Sequence, residues 1–132
     1  MKRLTKKLSE PKNLLFVGIF YTLFITVALL SPVSQIPKVE IPNLDKLVHV
    51  LMHALLIIIW LGYVYLGDKS HISIKNIFVV LFICFSYGII IEALQHCFTL
   101  SRKFDFFDII ANGIGDLLGL LSFGIVRNRV VH

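Results

Sequence analysis

Charged residues are scarce in this chain. Asp, Glu, Lys and Arg make up 16% of its 132 residues, whereas they supply about 25% of an average soluble domain. Hydrophobic residues make up 57%, and the mean hydropathy is +0.84. This composition excludes an ordinary soluble domain and is typical of an integral membrane protein.

Cysteine is scarce as well. The two cysteines, Cys84 and Cys97, fall on one predicted helix and lie about 20 Å apart at a rise of 1.5 Å per residue. That distance is too large for a disulfide bond, so both are interpreted as apolar filling. The chain also has no internal repeat and no low-complexity segment, which indicates one domain.

Signatures of metal binding are missing too. The sequence has no HExxH-type motif and no cysteine ligands at zinc-site spacing. His49 and His53 are spaced i, i+4, and with Glu92 or Asp108 they would be adequate zinc ligands. Without a recognised signature, the sequence favours a protein with no metal and no cofactor.

What the chain has instead is long hydrophobic segments. They cover residues 14–30, 47–66, 77–91 with a continuation toward 98, and 106–126, and each is near the roughly 20 residues that cross a bilayer as a helix. A soluble bundle would need a polar face on every helix, and residues 55–65 have none. The first segment follows basic residues, as in a signal peptide, but it is long and lacks a clear cleavage site. We therefore expect it to be retained.

The predicted fold is all-α, an integral membrane bundle of four transmembrane helices. Residues 1–12 are a basic tail, 13–126 the membrane domain and 127–132 a second tail. Nine of the 13 Lys and Arg residues fall in the tails and the second loop, and four in the first and third loops. The positive-inside rule then makes both termini cytoplasmic. The formal net charge of +5 is an orientation signal and a contact with anionic lipids, and no nucleic acid partner is expected.

Polar and ionisable residues collect at the predicted outer ends of the last three helices. A charged side chain in hydrocarbon is costly, so such residues usually face the protein interior and have a function. Their helical spacing puts each set on one stripe, and three stripes can line one outward-facing pocket. The residues are Asp45, His49 and His53 on the second helix, Glu92 and Gln95 on the third, and Asp108, Asn112 and Asp116 on the fourth, preceded by Arg102.

The residue types suggest separate roles within this pocket. We expect Arg102 to compensate the carboxylates by its opposite charge, and Lys46 only to mark a helix start and reach the interface. A purely structural ion network is the alternative for the charged members. Candidate acid or base groups are Glu92, His49 and Asp108, and candidate ligand-binding groups are Asp45, Gln95, Arg102 and Asn112.

Three motifs follow one another at the ends of these segments. They are Asp45-Lys46-x-x-His49, then Tyr87-Gly88-x-x-x-Glu92-x-x-Gln95, then Arg102 with Asp108-x-x-x-Asn112-x-x-Gly115-x-x-x-Gly119. Their order and spacing resemble the pattern of VanZ-like membrane proteins, the family named for a teicoplanin resistance protein, over residues 31–124. The resemblance implies a small multi-pass protein of the bacterial inner or cytoplasmic membrane, whose named member lowers susceptibility to glycopeptide antibiotics. It implies no settled reaction.

Two positions depart from the family pattern. His53 stands where an aromatic residue is common, and Asp116 where a small residue is common. Because each would be costly alone in hydrocarbon, we expect them to face each other as a pair that extends the pocket inward. Gly115 and Gly119 form a small-xxx-small face, which predicts close helix packing.

Three functions are compatible with the sequence. The first is an outer-face membrane protein of antibiotic resistance or envelope maintenance, which binds or modifies a membrane lipid, a lipid-linked or cell-wall ligand, or a glycopeptide antibiotic. The second is an intramembrane acid/base enzyme that acts on a lipid-linked envelope substrate. The third is a small transporter or proton relay, which the lack of an inverted repeat disfavours. The sequence leaves open whether a reaction is catalysed, and the oligomeric state.

The charge distribution makes a testable prediction about topology. Single cysteines at Lys38 and Lys103, in a background without Cys84 and Cys97, should react with an impermeant thiol reagent on intact cells. A Lys69→Cys variant should react only after permeabilisation, because the second loop carries the inward charge bias. Labelling of Lys69→Cys on intact cells would reverse the proposed orientation.

Overall fold

The computed structural model describes residues 10–31, 43–68, 71–98 and 104–131. These residues form four α-helices: α1 (Pro11–Leu30), α2 (Leu44–Gly67), α3 (Ile74–Phe98) and α4 (Phe106–Val131). No strand occurs in these four stretches. The loop residues Lys38, Lys69 and Lys103, on which the orientation depends, lie outside the described residues.

All four helices are long and apolar enough to cross a membrane. The outward-facing surface is apolar, since large side chains such as Phe20, Phe82 and Leu121 are 73%, 73% and 63% exposed. Hydrocarbon is the solvent in which such a surface is stable. The predicted all-α bundle of four membrane helices is therefore confirmed, and the protein is a multi-pass membrane protein.

The closest helix packing joins α2 to α4. A Cβ atom on Gly115 would overlap the Val50 carbonyl group and the His53 Cβ atom. One on Gly119 would overlap the Ile57 Cγ2 atom and the backbone of Ala54. Only hydrogen fits at these positions, so the two glycines allow the backbones to approach as small residues do in membrane bundles.

The helices α2 and α4 run parallel and in register. Side-chain contacts join His49 to Asn112 and His53 to Asp116, and each pair is separated by 63 residues. A constant separation means that both helices advance together along the contact, by one turn of about 6 Å for four residues. Polar residues at i, i+4 spacing on both helices consequently meet as successive pairs.

The helix α1 is attached by polar contacts to α2 and α3. The Tyr21 hydroxyl donates to the Met52 carbonyl oxygen at 3.0 Å, and the Thr26 and Tyr87 hydroxyls lie 2.7 Å apart. The Trp60 indole donates to the Thr22 hydroxyl at 3.3 Å. In a membrane such hydrogen bonds and close packing replace the hydrophobic effect as the source of helix association.

An apolar core lies between the helices. Ile25, Leu56, Ile57 and Leu61 are at most 2% exposed, and they cluster with the buried thiol of Cys84. Cys97 is exposed, and both thiols are free. The core thus fills the bundle away from the stripe of polar pairs.

The close contact of α2 with α4 predicts different outcomes for two glycines of the same helix. Gly119→Ala should lower the free energy of unfolding by about 1–3 kcal/mol, because the added methyl meets backbone that cannot move without separating the helices. A Cβ atom on Gly124 would meet no atom of the described residues within 4 Å. Gly124→Ala should therefore stabilise slightly, by about 0.5–1 kcal/mol, through helix propensity. Equal effects in detergent unfolding experiments would contradict the packing.

Candidate functional site

The candidate site lies at one end of the bundle, where α2 and α4 begin and α3 ends. We call His49, Glu92, Asp108 and Asn112 the polar cluster. These side chains are 1%, 2%, 7% and 1% exposed. They come from three helices, so the cluster depends on the fold and not on one local motif.

The imidazole of His49 is held between two residues of α4. Its Nδ1 atom lies 3.0 Å from Asn112 Oδ1, and its Nε2 atom lies 3.9 Å from Asp108 Oδ2. Because an amide oxygen accepts hydrogen bonds, Nδ1 carries the proton in this contact. The Nε2 atom is directed toward the carboxylates, and one ligand atom each of His49, Glu92 and Asp108 lies within 4.8 Å of the others.

The carboxylate of Glu92 joins the end of α3 to the start of α4. Its Oε1 atom accepts a hydrogen bond of 2.8 Å from the backbone N–H of Asp105, one of the donors that a helix start leaves without an internal partner. The Oε2 atom is buried and has no hydrogen-bond partner among the described residues. One oxygen of Glu92 therefore serves the fold, and the other is available to a ligand.

Lys46 takes a larger part in the site than the sequence indicates. Its ammonium lies 2.8 Å from Asp105 Oδ2, 3.4 Å from Asp108 Oδ1 and 3.2 Å from Asp45 Oδ2. The hydrogen bond from Lys46 holds the pKa of the Asp105 carboxyl below its ordinary value. A spacing of three residues from His49 places Lys46 on the polar face of α2, and this signal could have identified it.

A second polar pair lies one turn deeper. His53 Nδ1 and Asp116 Oδ1 are 3.1 Å apart, and the two residues are 0% and 2% exposed. The two side chains face each other between α2 and α4, as predicted from their depths in the sequence. A Cβ atom on Gly88 would lie 2.8 Å from His53 Cε1 and 2.9 Å from Asn112 Nδ2. The glycine of the Tyr87-Gly88 motif thus lets α3 pack closely over two polar layers, the outer pair His49–Asn112 and the deeper pair His53–Asp116.

Comparison with known proteins identifies the family of the chain. The family model described as VanZ/LLP1 matches residues 4–127, nearly the whole chain. The chain belongs to the VanZ/LLP1 family. The match includes α1, which lies before the residues that carry the resemblance in the sequence. No curated protein and no solved structure matches the chain.

The remaining family-motif residues occupy different positions in this VanZ-like structure. The Gln95 amide donates to the Leu29 carbonyl oxygen at 2.6 Å, so it joins α3 to the last turn of α1. The side chain of Asp45 is 52% exposed and lies beside Lys46 at the rim. Arg102, the cation expected to compensate the carboxylates, lies outside the described residues.

The deeper pair of this VanZ-like bundle predicts energetic coupling. The single changes His53→Phe and Asp116→Ala should each leave a buried polar partner unpaired, whereas the double change removes both. The double variant should lose less stability than the two singles summed, by about 0.5–3 kcal/mol. Unfolding in detergent or bicelles measures this double-mutant cycle. A control cycle of His53→Phe with Ser122→Ala should be additive, and additivity in the main cycle would mean that each residue is satisfied without the other.

Proposed function

We propose that the polar cluster faces the outside of the bacterial cytoplasmic membrane and binds a lipid-linked or cell-wall ligand. The charge bias of the tails and loops supports this orientation. By binding or modifying such a ligand, the protein acts in resistance to glycopeptide antibiotics such as teicoplanin or in cell-envelope maintenance. The membership in the VanZ/LLP1 family supports the link to that response.

One observation carries the proposal. An imidazole and two carboxylates converge within 4.8 Å at one end of a membrane bundle, and all three residues are buried. Such groups are costly to bury, and a membrane protein keeps them where they face a polar partner. The Oε2 atom of Glu92, buried without a partner among the described residues, supports a ligand at this point.

The charges of the site indicate the chemistry of this ligand. Carboxylates accept hydrogen bonds, so the cluster suits hydroxyl and amine donors of the kind found on glycans and aminosugars. Lys46 and Asp105 have side chains 27% and 36% exposed and form a charged rim above the buried groups. A ligand head group can therefore meet the rim first and place its donors on the acceptors below.

The proposal predicts the effect of removing one negative charge from the cluster. The chain should be expressed in a teicoplanin-susceptible bacterium and purified, and its bound lipids identified by mass spectrometry. Glu92→Gln should lower both the amount of co-purified ligand and any gain in teicoplanin resistance about tenfold, since a hydrogen bond to a charged group contributes about 1.5–3 kcal/mol. The matched change Asp68→Asn, at an exposed carboxylate after α2, should alter neither. Loss in both variants, or in neither, would contradict the proposal.

An intramembrane acid/base enzyme is the second candidate, and the orientation of His49 favours it. The contact of Nδ1 with Asn112 Oδ1 leaves Nε2 as the ring atom that would exchange a proton with a ligand hydroxyl. Glu92 or Asp108 would then be the acid or base that exchanges a proton with the substrate. If the protein is an enzyme, His49→Gln should retain its bound lipid in an unprocessed form. If it only binds the lipid, the wild type and His49→Gln should carry the same lipid.

A further inference from the structure

We propose that His49, Glu92 and Asp108 bind one divalent transition-metal ion of the zinc class. Each residue lies on a different helix, and each offers one ligand atom within 4.8 Å of the other two. Imidazole nitrogen and carboxylate oxygen are ordinary zinc ligands. The sequence suggests His49 and His53 together as zinc ligands. In the structure His53 contacts Asp116 instead, so both carboxylates join His49 in the proposed site.

The environment of His49 is that of a metal ligand. A metal-bound histidine almost always donates its other ring N–H to an oxygen, which fixes the tautomer and the ring orientation. Asn112 Oδ1 supplies that acceptor at 3.0 Å from Nδ1. The Nε2 atom is 3.9 Å from Asp108 Oδ2, too long for a hydrogen bond, so the two atoms face each other with room for an ion between them.

The carboxylates of Glu92 and Asp108 each have one oxygen that contacts a donor of the described residues and a second oxygen that does not. Glu92 Oε1 accepts from the Asp105 N–H at 2.8 Å, while Oε2 is buried without a partner among the described residues. Asp108 Oδ1 lies 3.4 Å from Lys46 Nζ, while Oδ2 is the atom nearest His49. A buried carboxylate oxygen without a donor is rare in native structures and is explained by a cation at this point.

The charge of the site also calls for a cation. Among the described residues of the cluster and its rim, the carboxylates of Asp45, Glu92, Asp105 and Asp108 face one ammonium, that of Lys46. Like charges this close to an apolar interior repel strongly unless a counter-charge lies among them. A divalent ion offsets two of the uncompensated charges without adding a side chain.

One separation between ligand atoms can be compared with that of a loaded site, and the other two lie within 4.8 Å. Tetrahedral zinc with bonds of about 2.0–2.2 Å separates two ligand atoms by about 3.4 Å. The His49 Nε2 to Asp108 Oδ2 distance of 3.9 Å is about half an ångström longer, a difference that small side-chain rotations remove. Three protein ligands leave a fourth position open, as in catalytic zinc sites.

The role that we give the ion rests on the proposed function. The binding of the ion is independent of that function. In the proposed function the ligand head group reaches the buried acceptors through the rim of Lys46 and Asp105. An ion with an open position would bind a hydroxyl or phosphate oxygen of that head group directly. The metal therefore gives the lipid or cell-wall ligand an anchoring atom.

Calorimetry with the full chain tests the site. Protein purified in detergent and stripped with a chelator should bind one Zn²⁺ per chain, with Mn²⁺ as a second probe. His49→Ala should weaken Zn²⁺ binding more than about tenfold, and Asn112→Ala, which removes the outer partner, by about 10–100-fold. His96→Ala, an exposed histidine one turn from Glu92 on α3, should leave the affinity unchanged. Absence of saturable binding to the folded wild type, or unchanged affinity in His49→Ala, would overturn the inference.

A spectroscopic readout covers the case in which an alanine variant fails to fold. Co²⁺ bound to His49→Cys should show a thiolate-to-cobalt charge-transfer band, because the new sulfur is a metal ligand. The wild type, which keeps Cys84 and Cys97, should bind Co²⁺ without that band. A folded His49→Cys protein that lacks the band would overturn the inference.

The outcomes for the metal and for the ligand can be separated. If the chain binds no metal but Glu92→Gln still loses the co-purified lipid, the metal site is wrong and the proposed function stands. If Zn²⁺ binds as expected but the lipid is the same in wild type and Glu92→Gln, the site is a metal site and the proposed ligand function is wrong.

Discussion

The close parallel contact of α2 with α4 is the constraint on which the site depends. Gly115 and Gly119 remove the side chains that would separate the two backbones, and the polar residues of both helices recur at four-residue intervals. His49 consequently meets Asn112, and His53 meets Asp116. In hydrocarbon each pair gives a partner to one polar atom of each side chain, which would be costly alone, so the polar residues and the glycines stabilise the same helix interface.

The number of helices and the all-α fold class could be predicted from the sequence because the thickness of the membrane sets the length of a spanning segment. An apolar segment of about 20 residues has few alternatives to a spanning helix, and the predicted segments lie within helices that extend only a few residues further, as residues 47–66 do within Leu44–Gly67. The polar stripes follow from helical spacing in the same way. The sequence predicts which polar stripes lie at the same depth in the membrane. Beyond the pair of His53 and Asp116, it does not predict which individual side chains contact each other.

Side-chain partners were harder to predict because they depend on lateral packing. The role of Gln95 depends on the position of the end of α1, where the Leu29 carbonyl oxygen accepts its hydrogen bond, and no local pattern encodes that position. Lys46 resembles an ordinary interfacial lysine in sequence, yet the start of α4 brings Asp105 to 2.8 Å from it. The backbone N–H that binds Glu92 carries no residue signature at all.

The two polar layers differ in how their side chains contact each other. In the deeper layer His53 and Asp116 contact each other directly at 3.1 Å, and the described interior beyond them is the apolar cluster around Ile57 and Leu61, which opposes a polar path through the bundle. In the outer layer the nearest approach of His49 to a carboxylate is 3.9 Å, and the space between them is bounded by acceptors. The contacting atoms of the deeper pair are partners of each other, although His53 Nε2 and Asp116 Oδ2 are buried without a partner among the described residues. The converging carboxylates of the outer layer need a donor or a cation. We therefore propose the outer layer as the ligand site, whereas the deeper pair is a direct contact between α2 and α4.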